Sequence, residues 1–295
     1  MRFERGPLLI AVASLIWATD SIVRSFAASA LSPTYIVFSE HLICVMLLLP
    51  WITYRYRKNA WKLSRANWVA AALIGAGASA LATVFFTQSF QNINPSVTVL
   101  LQKLQPIMVV IFAAAFLHEK PKAGFYFWSV VAFVAAMGVS FPGYDFSFLR
   151  EGFNPTSIGV AQAMAAASLW AAATVAGRSL LNQLPSDLTA FWRFFFGLLA
   201  LSVFLFFSPI SVVSLSKAQG AILLYMGVFP GLLAMLFYYR GLAKTPASVA
   251  TFVELIFPIA AVGLNAVVLH APLNLGQLIA GTILIFSITR ISFAR

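Results

Sequence analysis

The chain has 295 residues, of which 61% are hydrophobic and only 9% are charged, and its mean hydropathy is +0.91. This composition excludes a water-soluble domain with one large core and indicates a polytopic membrane protein. The net charge of +11 does not indicate a nucleic-acid partner, because nearly all basic residues lie in short connections between apolar runs, where membrane topology explains them.

The first apolar run covers residues 7–27, and its small-residue end, SFAASA, is typical of a signal-peptidase site. A cleaved signal peptide is therefore one alternative. The run also contains Asp20 and Arg24, which lie one helical turn apart and are predicted to satisfy each other. Because Arg24 has a counterpart in the second half of the chain, Arg178, the pattern favours a retained transmembrane helix.

Nine further apolar runs follow, and each is about long enough to cross the hydrocarbon core of a bilayer. They cover residues 33–54, 67–89, 96–117, 123–142, 155–180, 187–208, 218–239, 247–269 and 273–293. We number the ten predicted helices in chain order. Basic residues concentrate in the connections after helices 2, 4, 6 and 8, so the positive-inside bias predicts that these connections and both termini face the cytoplasm.

One segment of the chain occurs twice, because residues 95–118 recur 152 positions later as residues 247–270. The matching pairs are Ser96 and Ser248, Val97 and Val249, Gln102 and Glu254, Pro106 and Pro258, and His118 and His270. The proline near the middle of each copy frees a backbone carbonyl that a neighbouring helix or water must satisfy. We therefore expect both copies to be inner helices beside a cavity.

Ten helices in two similar halves place five helices in each half, and an odd number turns the second half over relative to the first. The predicted fold is an all-α membrane protein with ten transmembrane helices, arranged as two inverted five-helix repeats around a central cavity. The first repeat covers residues 1–142 and the second covers residues 155–295. Residues 143–154 form a periplasmic linker within one membrane domain.

Besides Asp20 and Arg24, the predicted helices contain Glu40, Lys103, Arg193 and Glu254, and charges inside a membrane are expensive and commonly mark function. The inverted symmetry predicts two ion pairs, one of Glu40 with Lys103 and the other of Arg193 with Glu254, with one pair near each mouth of the cavity. In one interpretation these pairs only hold helices together. In the other, one of the four residues, with Glu254 as the first candidate, takes part in gating or proton coupling.

Two polar stripes follow the repeated segment at helical spacing. They consist of Thr98, Gln102 and Gln105 in helix 4 and of Ser248, Thr251 and Glu254 in helix 9. Such stripes form either interhelical hydrogen bonds or a cavity wall, and both interpretations stay open.

The two five-helix halves, the repeated segment, the sequence FWRFFFGLLAL in helix 7 and the sequence FYYRGLAKTPA before helix 9 resemble the EamA branch of the drug/metabolite transporter superfamily. The likeness is greatest to bacterial exporters of aromatic amino acids and related metabolites. One departure is visible, since the glutamate usual after helix 4 is present as Glu119 but its counterpart is Ala271.

The resemblance implies a basket-like fold with a central substrate cavity, multi-pass insertion in the bacterial inner membrane, and export from the cytoplasm. It also implies that helices 1, 3, 6 and 8 surround the cavity. The residues that these helices would contribute are Trp17, Gln88, Trp170, Tyr238 and Tyr239. Aromatic walls with a few amides suit a substrate that has an apolar side chain and polar ends.

The sequence therefore predicts an alternating-access exporter of amino acids, aromatic or otherwise apolar, or of similar small metabolites. The alternatives are a multidrug or other metabolite exporter of the same fold and, from another class, an intramembrane enzyme or a scaffold. The absence of HExxH, GxSxG, Walker A and paired-cysteine motifs weakens the enzyme alternative and predicts no metal and no cofactor. The expected partners are a small-molecule substrate and the lipid bilayer. The protein itself is expected to be a monomer or a homodimer.

Overall fold

The computed structural model describes residues 5–117, 121, 123–176, 183–207, 215–242, 244–245, 249–250 and 253–293, which form helices without any strand. The helices are α1 (Arg5–Ala30), α2 (Pro33–Tyr56), α3 (Arg65–Asn92), α4a (Pro95–Gln102), α4b (Gln105–Leu117), α5 (Ala123–Ser140), α6 (Pro155–Ala176), α7 (Ser186–Phe206), α8 (Lys217–Leu242), α9 (Ile256–Val268) and α10 (Leu275–Phe293).

The helical content confirms the all-α membrane class. Eight helices of the described ranges, counting α4a and α4b as one, are long and apolar enough to cross a membrane. The remaining two predicted helices correspond to α5 and α9, whose apolar parts are shorter. Side-chain oxygens of Ser32, Ser64, Asn94 and Ser216 cap the starts of α2, α3, α4a and α8.

Both copies of the repeated segment are broken just before the proline, at positions that match to within one residue. The first breaks at Lys103 and Leu104, between α4a and α4b, and the second breaks at Glu254 and Leu255, just before α9. Because a proline has no N–H, it cannot donate to the carbonyl four residues earlier, and the helix loosens one turn before each proline. The charged side chains of Lys103 and Glu254 therefore lie at helix breaks rather than in continuous helices.

Two π-helical segments also occupy matching places. They are Ile74–Leu81 within α3 and Gly227–Leu233 within α8, and Pro230 of the second lies 152 residues after Ala78 of the first. A π-helical turn disturbs the regular backbone hydrogen-bond ladder and is frequent at functional sites.

The first π-helical segment packs closely against α7. A Cβ added at Gly75 would lie 2.9 Å from the backbone oxygen of Arg193 and 2.9 Å from the backbone nitrogen of Gly197. We therefore expect Gly75→Ala to lower the free energy of unfolding by about 1 to 3 kcal/mol through overpacking. Gly77→Ala is the matched control, because no atom of the described residues lies within 4 Å of a Cβ at that position. Thermal unfolding in detergent compares the two, and equal midpoints would contradict the close packing.

Candidate functional site

A cavity of about 420 Å³ lies at the centre of the bundle, lined by side chains of α1, α2, α3, α4a, α4b, α6, α7, α8 and α9 and of both helix breaks. We call the end of the bundle that carries Arg55, Arg57 and Arg65 the basic end. The lining reaches Leu242, the last residue of α8 at the basic end, whereas on α1 it stops at Arg24 although that helix continues to Ala30. On α8 the lining therefore extends to the basic end, and on α1 it stops short of the opposite end.

A buried charge network closes the opposite end of the cavity. The Arg24 guanidinium donates to Asp20 at 2.8 Å, to Glu40 at 2.6 Å and to the Thr87 hydroxyl at 2.8 Å. All four residues are buried, and together they join α1, α2 and α3. Charge-assisted hydrogen bonds of this kind hold helices in a fixed arrangement.

This network confirms the contact of Asp20 with Arg24 but changes the predicted partner of Glu40, which pairs with Arg24 and not with Lys103. The reason is the packing of α2, which lies against α1, α3, α7 and α8 and so brings Glu40 to the guanidinium on α1. An arginine also presents five donors, enough for both carboxylates at once.

A second polar cluster seals the same end. The Ser21 hydroxyl donates to Asn265 at 2.7 Å, and the Asn265 amide donates to the Ser96 hydroxyl at 3.2 Å, which links α1, α9 and α4a. Beside it, the Ser89 hydroxyl donates to Thr98 at 3.0 Å. The polar stripe of helix 4 therefore has both predicted roles. Thr98 makes an interhelical hydrogen bond, whereas Gln102 and Gln105 line the cavity.

Six of the predicted cavity residues line the cavity, namely Trp17, Gln102, Trp170, Tyr238, Tyr239 and Glu254. Thr98 does not, because it is fully buried against Ser89 in the sealed region. Gln88 does not either, because its side-chain oxygen turns towards Gln162 on α6, 3.5 Å away. Thr251 lies outside the described residues.

Away from the Arg24 network, the cavity lining holds three further charged side chains, those of Lys103, Arg193 and Glu254. The Tyr238 hydroxyl donates to the Glu254 carboxylate at 2.9 Å, and Arg193 Nε donates to the Ser79 hydroxyl at 3.1 Å. The Lys103 ammonium lies 4.9 Å from the centre of the Phe257 ring, a cation–π distance, and interacts electrostatically with Glu254.

The predicted pair of Arg193 with Glu254 is not formed, since no ion pair within 4 Å joins them in the part of the chain that the structure describes. The Glu254 carboxylate, at the helix break, instead accepts a hydrogen bond from Tyr238, and Arg193 instead donates to Ser79 on α3. Both charges thus remain available to a polar ligand in the cavity.

Two aromatic pairs form parts of the lining, and each is joined by a hydrogen bond to a π-helical segment. The Trp17 indole donates to the Pro230 carbonyl at 3.0 Å, and its ring centre lies 5.3 Å from that of Tyr238. The Trp170 indole donates to the Ala78 carbonyl at 2.7 Å, and its ring centre lies 5.3 Å from that of Phe86. We call these sets the Trp17 pair and the Trp170 pair.

The two pairs match through the internal repeat, because Tyr238 lies 152 residues after Phe86, as Pro230 does after Ala78. Sequence reasoning missed Phe86, one of 28 phenylalanines in the chain. The repeat offset was the available signal, since it aligns Phe86 with a predicted cavity tyrosine.

Comparison with known families adds an independent observation. The model of the EamA-like transporter family matches the chain twice, at residues 4–141 and 157–293. A protein named riboflavin transporter ImpX from Fusobacterium nucleatum subsp. nucleatum is 28% identical over 296 residues, covering 98% of this chain and 97% of the relative. A protein named uncharacterized transporter from Clostridium kluyveri is 23% identical over 281 residues, covering 94% of this chain and 89% of the relative.

A solved structure titled only as the crystal structure of a protein superposes on this chain with a TM-score of 0.64. The two share 19% sequence identity, and the superposition covers 96% of this chain and 94% of the other. At that identity the likeness describes the fold alone.

Proposed function

The chain belongs to the EamA-like transporter family, and we propose that within this family it exports small amphipathic metabolites with an aromatic ring, aromatic amino acids above all. As a family member it is a multi-pass membrane transporter and not an enzyme. The family and the relatives support transport of small metabolites. The choice of amino acids and the export direction are our proposal.

The observation that carries the proposal is the combination of aromatic walls with charges of both signs in one cavity. The Trp17 and Trp170 pairs offer flat apolar surfaces for a ring. Lys103 and Arg193 suit a substrate carboxylate, whereas Glu254 suits an ammonium group. The cavity volume of about 420 Å³ lies within the range of ligand pockets.

A flavin is the second candidate substrate. The observation in its favour is the relative named as a riboflavin transporter, which is 28% identical along nearly its whole length. A flavin ring also suits an aromatic-walled cavity. Drugs and other metabolites are outcomes of the same transport test.

We further propose that the molecule consists of ten transmembrane helices in two inverted repeats, residues 1–142 and 155–295, joined by a linker at residues 143–154. The matching helix breaks, π-helical segments and tryptophan pairs support this proposal, as do the two matches of the family model. The sequence FSE at residues 38–40 matches FWR at residues 191–193, which makes the next residues, His41 and Phe194, counterparts in the two halves. Their ring centres lie 5.4 Å apart, as expected of residues beside a two-fold axis.

In the same proposal the basic end faces the cytoplasm of a bacterial cell, as the positive-inside bias favours. The open cavity would then load substrate from the cytoplasm, while the Arg24 network keeps the periplasmic side closed. Alternating access would break that network and close the basic end.

The protein reconstituted in liposomes tests the proposal. We expect counterflow of labelled tryptophan and phenylalanine above that of empty liposomes, and little counterflow of lysine, because its side chain places a charge among the aromatic walls. Movement of riboflavin without the amino acids would favour the second candidate. No movement of either class would contradict the proposed function.

A further inference from the structure

The internal repeat places Gln102 and Glu254 at equivalent positions, yet among the described residues only the Glu254 carboxylate has a donor for its side-chain oxygen. The Glu254 carboxylate accepts a hydrogen bond of 2.9 Å from the Tyr238 hydroxyl. The Gln102 side-chain oxygen is buried at the cavity, and no described residue donates to it. Tyr238 has Phe86 as its own counterpart, and a phenylalanine has no hydroxyl to donate.

Phe86 lies at the level of Gln102, as Tyr238 does at the level of Glu254. The helices α3 and α4a run in opposite directions and are joined by the hydrogen bond between Ser89 and Thr98. Phe86 is about one turn before Ser89, and Gln102 is one turn after Thr98, so both move away from that contact in the same direction. Both side chains line the cavity.

A buried acceptor without a donor is costly, and such groups in native proteins are few. At Gln102 the open acceptor lies in a cavity beside the Trp170 pair, where a flat ring can stack. If a ring stacks there with its edge towards the glutamine, a donor on that edge would take the place that the tyrosine hydroxyl takes in the other half.

We propose that the Gln102 side-chain oxygen accepts a hydrogen bond from an N–H on the edge of the substrate's ring, while the ring stacks against the Trp170 pair. The substrate class is therefore a planar heteroaromatic ring with an edge N–H, such as an indole or an imide. This inference rests on the proposed function and adds the residue that selects among ring substrates.

Two matched ligands and one variant test the hydrogen bond. Wild-type protein should bind tryptophan about tenfold more tightly than 1-methyltryptophan, because the methyl group removes the donor and leaves Gln102 unpaired. Gln102→Leu should bind the two ligands with affinities within about twofold of each other, because the acceptor is gone. Riboflavin and N3-methylriboflavin form a second pair with the same expectation. Binding in detergent by fluorescence or calorimetry measures all four.

Phe86→Tyr is a second variant that fills the open acceptor from the protein side. We expect its thermal midpoint to rise and its affinity for tryptophan to fall about tenfold, because the new hydroxyl satisfies Gln102 in place of the substrate. Phe127→Tyr, which adds a hydroxyl to an exposed phenylalanine on α5 outside the cavity lining, is the matched control and should leave the affinity for tryptophan unchanged.

The outcomes separate this inference from the proposed function. Equal binding of tryptophan and its methyl derivative by wild-type protein, or discrimination that persists in Gln102→Leu, would overturn the hydrogen bond alone. A more stable Phe86→Tyr with unchanged affinity would mean that the open acceptor is a packing defect. Failure of wild-type protein to bind either tryptophan or riboflavin would overturn both proposals.

Discussion

Replacing Arg24 by glutamine is expected to lower the thermal midpoint by roughly 10 °C. The guanidinium is 4% exposed and balances two buried carboxylates, Asp20 and Glu40. Removal of one partner of a buried charge network leaves uncompensated charge and costs about 3 to 5 kcal/mol. The loss should be measured by thermal unfolding of the detergent-solubilised protein.

Arg193→Gln is the matched control for this loss, because that arginine also lines the cavity but, among the described residues, has one hydrogen bond, to Ser79, and no carboxylate within 4 Å. Its cost should be about 1 kcal/mol. Neutralising all three groups together, with Asp20→Asn, Arg24→Gln and Glu40→Gln, should restore most of the stability, because no buried charge remains. A triple variant as unstable as Arg24→Gln would show that charge burial is not the cause.

The repeated segment predicted two inner helices beside a cavity, each with a proline that frees a backbone carbonyl, but it did not predict that the helices are interrupted. The prolines follow Gln102 and Glu254 by one turn in the two copies, and the structure has a helix break at each of these places. Backbone chemistry of this kind is local, so it can be read from a single sequence. The exact bounds were less accessible, since the prediction treated each segment as one continuous helix.

The partners of the charges could not be predicted in the same way. The choice between Lys103 and Arg24 as the partner of Glu40 depends on which helices touch α2, and that is decided by packing along the whole bundle. The π-helical segment in α3 has no proline and no other local signal in its sequence IGAGASAL. The Ala78 carbonyl of this segment accepts a hydrogen bond from the Trp170 indole N–H. These two residues are far apart in the chain, so their contact could not be predicted from the sequence.

The largest functional effect is expected from the two tryptophans of the cavity. Trp17→Ala and Trp170→Ala should each reduce tryptophan counterflow in proteoliposomes by about tenfold to a hundredfold. Each variant removes a stacking surface that is worth roughly 1 to 3 kcal/mol by comparison with ring stacking on bases. Trp→Phe at either position keeps a ring but loses the hydrogen bond to the π-helical carbonyl, so it should fall between wild type and alanine. Phe127→Ala, which removes an exposed ring on α5, is the control and should leave counterflow unchanged.

The comparison of the two alanine variants also tests the repeat. If the Trp17 and Trp170 pairs are equivalent walls of one pathway, each half contributes the same surface in turn as the transporter alternates, and both losses should be of similar size. A large loss at Trp170 with none at Trp17 would mean that the ring stacks on one wall only, beside Gln102. Unchanged counterflow in both variants would show that the aromatic pairs take no part in transport, because the two alanine substitutions remove the flat indole surfaces on which a substrate ring would lie.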